Sequence, residues 1–121
     1  MDEKFIKDNL RSIFSLSAPV RAPGLVTAHN TSSTSLMIKW SHLLRKDFQG
    51  KPFGYGISYN SVSSALNTNY VSVSYTTNTT TLTNLTAYTM YIIDVSAVSS
   101  GGIGPASTAK ARTEAGGNVV S

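Results

Sequence analysis

Apolar and polar residues alternate without a break through "SLMIKWS". Leu36, Ile38 and Trp40 share one face, and Ser35, Met37, Lys39 and Ser41 share the other. A period of two predicts a strand with one buried face. "FGYGISY" repeats the pattern, setting Phe53, Tyr55, Ile57 and Tyr59 against Gly54, Gly56 and Ser58, and "NYVSVSY" puts Val71, Val73 and Tyr75 on one side. "GLVTAHN" is a short strand ending in the turn "NTSST", and another short run ends at Leu82. "YIIDVSAV" and "STAKART" close the series, separated by "SSGGIGP", while "HLLRKDFQGKP" and "NSVSSALNT" read as loops. Seven strands at short, regular spacing predict an antiparallel sandwich rather than a βαβ sheet. There is no internal repeat.

Two stretches depart from period two. Over residues 4–16, Phe5, Ile6, Leu10, Ile13 and Phe14 recur at three- and four-residue spacings, which makes residues 1–19 a helix-prone leader or a remnant of an upstream domain. "APVRAPG" follows, its prolines excluding helix. In "LTNLTAYTMYIIDVSAV", Leu82, Leu85, Tyr88 and Tyr91 fall every third residue, after which every second residue is apolar. At 3.6 residues per turn, Leu82 and Tyr91 would face opposite ways on a helix. A corner fits better: the chain crosses between two sheets, Leu85 and Tyr88 plug the crossing, and a strand begins near Tyr91. Past it Tyr91, Ile93, Val95 and Ala97 point inward, and Ile92, Asp94 and Ser96 outward.

Trp40, Tyr55, Leu82, Leu85, Tyr91, Val95, Ala97 and the closing "GIGPAS" together resemble a fibronectin type III domain over roughly residues 20–113. The resemblance implies an all-β, immunoglobulin-like seven-stranded antiparallel sandwich, with residues 114–121 as a flexible tail. It identifies "SLMIKWS" with strand B and its core tryptophan, and "FGYGISY" with strand C. It also makes Tyr91 the corner tyrosine, its ring buried and its hydroxyl bonded to backbone a few residues upstream. Trp40, Tyr55, Leu82, Leu85, Tyr91 and Val95 would carry the scaffold. The chain departs from the family pattern at "SHLL", where proline usually follows the tryptophan and Leu43 fills its place. It departs again at Ala87 and Tyr88, where Pro and Gly are common.

Composition narrows the function classes. Charged residues are only 13% of the chain, about half the usual share; Ser and Thr take their place, a leaning toward extracellular β-proteins. The net charge of +4 is spread along the chain, which gives no reason to expect nucleic acid as a partner. Cysteine is absent, so no disulfide or thiolate site can form. No apolar run reaches the ~20 residues that span a bilayer, so no membrane insertion is expected of this segment. The first residues do not read as a signal peptide, being interrupted by Lys7, Asp8, Asn9 and Arg11.

Candidate chemistry is sparse. His29 and His42 are the only histidines, and Asp47, Asp94 and Glu114 the only acids after residue 8. No nucleophile, base and orienting acid assemble from these, and no metal-ligand spacing appears, so no enzyme and no cofactor are expected. Asn30, Asn78 and Asn84 each open an N-x-S/T sequon, with Asn30 and Asn78 in expected turns. Chance alone gives about two such sequons in a chain this rich in Ser and Thr. Arg45, Lys46 and Lys51 cluster in one loop, a solvated group that could also meet an acidic glycan. Asp94 is expected to face Lys110 or Arg112 across strands. "SSGGIGP" reads as a flexible hairpin.

The resemblance implies a non-catalytic interaction or spacer module of a cell-surface adhesion, receptor or matrix protein, at the cell surface or outside the cell. Its partners would be other proteins and neighbouring domains in a longer chain. Two alternatives stand beside it: a cytosolic muscle-type or cytoskeletal module, and an accessory linker domain of a secreted glycosidase.

Overall fold

The computed structural model describes residues 17–64 and 66–116. The helix expected over 4–16 and the last residues of the tail lie outside the described residues. Seven strands follow in chain order: β1 (Gly24–Ser32), β2 (Ser35–Ser41), β3 (Pro52–Ser61), β4 (Asn69–Ser74), β5 (Thr79–Leu82), β6 (Met90–Ser99) and β7 (Gly102–Arg112). They form two antiparallel sheets, ordered β1-β2-β5 and β4-β3-β6-β7, as the alternating patterns required.

The core lies between the sheets and is filled by the inward positions of each strand. Leu36, Ile38 and Trp40 of β2 meet Tyr55 and Ile57 of β3 and Tyr91, Ile93, Val95 and Ala97 of β6, all buried, with Leu82 and Leu85 closing one end. Burying each large side chain stabilises the fold by roughly 1.5–3 kcal/mol before conformational entropy is set against it. The Trp40 and Tyr55 rings lie 5.3 Å apart at the other end. The crossover between β5 and β6 is tied by backbone and phenol together. Leu85 N–H donates to Thr34 O, and Thr86 N–H donates to the Tyr91 hydroxyl at 2.8 Å.

Several positions differ from the sequence expectation. The loop after β2 contains a 3-10 turn at Arg45–Phe48, and it folds Phe48 fully into the core against Tyr55. Phe53 does not join the inward face of β3. The β3–β6 register slips between Pro52 and Gly54, and the extra residue is turned outward, leaving Phe53 54% exposed. Tyr88 does not plug the crossover: it has φ +49 and is 63% exposed, with the Arg112 guanidinium over its ring. The hairpin expected over "SSGGIGP" is only Ser100 and Gly101 long, because Ser99 already pairs with Gly102. β1 runs on to Ser32, so Asn30 sits in a strand opposite Leu36, not in a turn. Asp94 pairs with Thr108 instead of Lys110 or Arg112, and the Thr108 hydroxyl donates to its carboxylate at 2.5 Å.

Candidate functional site

The two poles of the sandwich hold the most polar backbone chemistry. The segment leading into β1 is tied down in three places, starting at one pole beside Ser99 and ending at the middle of β7. Ser99 Oγ donates to Ser17 O at 3.0 Å, Val20 N–H to Asp47 O at 3.2 Å, and Ser107 Oγ to Pro23 O. At the opposite pole, where β7 ends, the outgoing segment is tied as firmly. The buried Thr113 hydroxyl donates to Thr86 O at 2.6 Å and accepts from Thr89 N–H at 3.0 Å. Glu114 N–H donates to Ser32 O and Glu114 O accepts from Tyr88 N–H. Thr113 thus clamps the strand end to the crossover, and the clamp needs a hydroxyl that donates and accepts at once.

The sequence-derived candidates fall on different parts of the surface. Asn30, Asn78 and Asn84 are all exposed: Asn30 on β1, Asn78 just before β5, and Asn84 in the crossover at φ +58. The Asn30 amide donates to Arg112 O at 3.2 Å, and the Asn78 carbonyl accepts from Trp40 N–H. Arg45 and Lys46 come together with Gln49 and Gly50 around an open depression. Lys51 is exposed beyond it, its N–H donating to Ser100 Oγ, while Asp47 between them turns inward and is buried. His29 is exposed in mid-β1 and His42 is exposed after β2, its ring 6.4 Å from that of Tyr55. Among the described residues no three His, Asp or Glu side chains gather as a metal-binding group, and no helix is long and apolar enough to cross a membrane.

Two features were not anticipated. The Tyr55 hydroxyl accepts a 2.9 Å bond from Leu43 N–H, so the phenol fixes the loop in which proline is usual. Burial raises the Tyr55 phenol above its ordinary pKa, and the Leu43 bond pulls the other way. The second is a groove of about 220 Å³ on the outer face of the four-stranded sheet, lined in part by Phe53, Gly54, Tyr70 and Val98. It exists because Gly54 and Gly56 leave β3 bare: a Cβ on Gly56 would stand 2.0 Å from the Tyr70 hydroxyl. The glycines in alternate positions of "FGYGISY" were the signal for it.

A seven-stranded, two-layer antiparallel sandwich closed by a corner tyrosine defines an immunoglobulin-like module. The chain belongs to the fibronectin type III domain family, which matches residues 21–113. Domains of this family are generally non-catalytic modules. No curated protein matches the chain. Among solved structures it is similar to the FN1–FN3 domains of chicken CNTN1, with 34% identity and a TM-score of 0.73 over 80% of this chain and 33% of that one. The chain therefore spans a third of that structure. The fn3 domain of human contactin 1 is 31% identical over 87% of each chain, TM-score 0.75. An fn3 domain of the human collagen alpha-1(XX) chain is 26% identical over 87% of this chain and 95% of that one, TM-score 0.70.

Proposed function

We propose that the chain works as a non-catalytic interaction and spacer module of a cell-surface adhesion, receptor or matrix protein, outside the cell. The observation that carries this reading is the double anchoring of the chain at opposite poles. β7 alone is 11 residues long and begins beside one anchor and ends at the other. At ~3.3 Å per residue it sets the poles some 30 Å apart or more. A neighbouring domain on either side would be held at a fixed distance and direction. The likeness to contactin and collagen domains supports a place among extracellular modules.

The test uses the absence of cysteine. Spin labels at Val20→Cys and Ala115→Cys in the full chain are expected to give one narrow distance distribution near 30 Å or above, which Thr113→Ala broadens. A broad distribution in the otherwise unmodified chain would remove the spacer role. The exposed sequons at Asn30, Asn78 and Asn84 support glycan attachment, tested by secretion from eukaryotic cells: a product whose mass a glycosidase leaves unchanged refutes it. Arg45, Lys46 and Lys51 would supply contacts to an acidic glycan, and elution from heparin at low salt would dismiss that role.

A further inference from the structure

We infer that β4 pairs edge to edge with β4 of a second copy of this chain, forming a weak symmetric dimer. An edge strand exposes a row of unpaired N–H and C=O groups, and folded proteins defend such edges with charge, proline, bulges, shortness or cover. Three of the four edges here are defended. β1 carries two register slips, one of them beside Leu25 at φ +51. β5 is four residues long. β7 holds Pro105, is covered at Gly104 by Pro19, and carries Lys110 and Arg112 toward its end. β4 has none of these. It is six residues in unbroken register with β3, without proline or charge, and among the described residues no second strand pairs with it; at its end the Ser74 carbonyl accepts from Thr77 N–H in the following turn. The neighbouring sequence is equally uncharged, since residues 52–93 contain no Asp, Glu, Lys, Arg or His, and the nearest basic turn, Arg45–Phe48, meets only Tyr75 beyond the strand's end through the Phe48 ring. The charges of this net-positive chain therefore lie elsewhere in sequence, and two copies meeting here bring no like charges into the strand pair.

The shape and pattern of β4 point to its own copy as the occupant. The four-stranded sheet is one strand wider than its partner sheet, and β1 lies against β7, so the extra width falls at β4. Val71 and Val73 on its inner face are accordingly only half-buried, though both touch the core. In a continuous antiparallel sheet, opposed residues share a face, so the twofold axis must pass through a residue and not between two. An axis at Ser72 opposes Val71 with Val73 of the second copy on the inner face and Tyr70 with Ser74 on the outer. An axis at Val71 would instead set Asn69 against Val73. Only axes at Val71 and Ser72 keep most of the strand Asn69–Ser74 paired, and of these two the Ser72 register is selected. One strand pair buries less than the roughly 1,200 Å² typical of stable complexes, so the dimer forms only at high concentration.

Sedimentation of the full chain between about 10 µM and 1 mM, a range chosen for an interface below standard size, is expected to show the mean mass rising from 12.9 kDa toward twice that value. Ser72→Lys, exposed on the outer face, should hold the mass at the monomer value throughout without moving the unfolding midpoint. Ser72→Cys should crosslink to itself under mild oxidation, because directly opposed residues lie about 4.5–5.5 Å apart at Cα, within disulfide range. Thr108→Cys, exposed on β7, should not. A chain monomeric at every concentration overturns the inference, as does a dimer that survives Ser72→Lys. A monomer whose β4 amides resist exchange along both edges would place some other segment there, and overturns it too.

Discussion

Replacing Tyr91 by Phe removes one oxygen and leaves the ring, which is 6% exposed, in place. The oxygen accepts the 2.8 Å bond from Thr86 N–H that closes the crossover. An intramolecular hydrogen bond contributes about 0.5–1.5 kcal/mol net, and a buried donor left without an acceptor costs about 1–3 kcal/mol. Thr86 itself is exposed, so water reaches part of the freed N–H, and the expected loss is about 1–2 kcal/mol. For a domain of this size each kcal/mol lowers Tm by roughly 4–8 °C. Trp40, the single tryptophan and buried, reports unfolding by fluorescence. The urea midpoint should fall while the slope stays constant, the sign of a stability change without a change in exposed surface. Amide exchange adds a local readout: Thr86 should lose protection, while Leu85, bonded to Thr34 O, keeps it. An unchanged midpoint, or undiminished protection at Thr86, would refute the corner as the source of that stability.

Two further outcomes follow from single residues. The Tyr55 phenol has its folded pKa raised above the unfolded value near 10, so its contribution is complete below about pH 10 and is lost as pH rises through the folded value. Stability should therefore decline above about pH 10 with a slope of up to about 1.4 kcal/mol per pH unit from this group. Tyr55→Phe should flatten that decline; a decline identical in both proteins would place its cause elsewhere. Gly54→Ala and Gly56→Ala should differ sharply, although both glycines face outward from the same strand. A Cβ on Gly54 meets Val73 O at 1.9 Å, backbone that cannot yield without opening the β3–β4 pair, for a loss of about 1–3 kcal/mol or more. A Cβ on Gly56 meets only the exposed Tyr70 ring, which swings aside, and thermal unfolding should show a loss of under about 1 kcal/mol.

The chain by itself determined the strands and the corner. Where one face of a strand is buried and the other wet, composition must alternate, so Leu36, Ile38 and Trp40 announced β2 and Tyr91, Ile93, Val95 and Ala97 announced β6. The change of period at Leu82–Tyr91 announced the crossover, because a tyrosine corner depends on contacts only a few residues apart. Contacts between distant segments were decided by tertiary structure alone. Phe48 stands in a polar loop and is buried because a 3-10 turn brings it beneath Tyr55. Phe53 keeps the alternation in sequence but is turned outward by a register slip against β6. Asp94 met Thr108 because the two-residue turn and a slip between Ser96 and Val98 set the β6–β7 register. The undefended edge of β4 is likewise invisible until strand order is known. Periodicity records which face of a strand is dry; it carries no record of which strand stands last in the sheet.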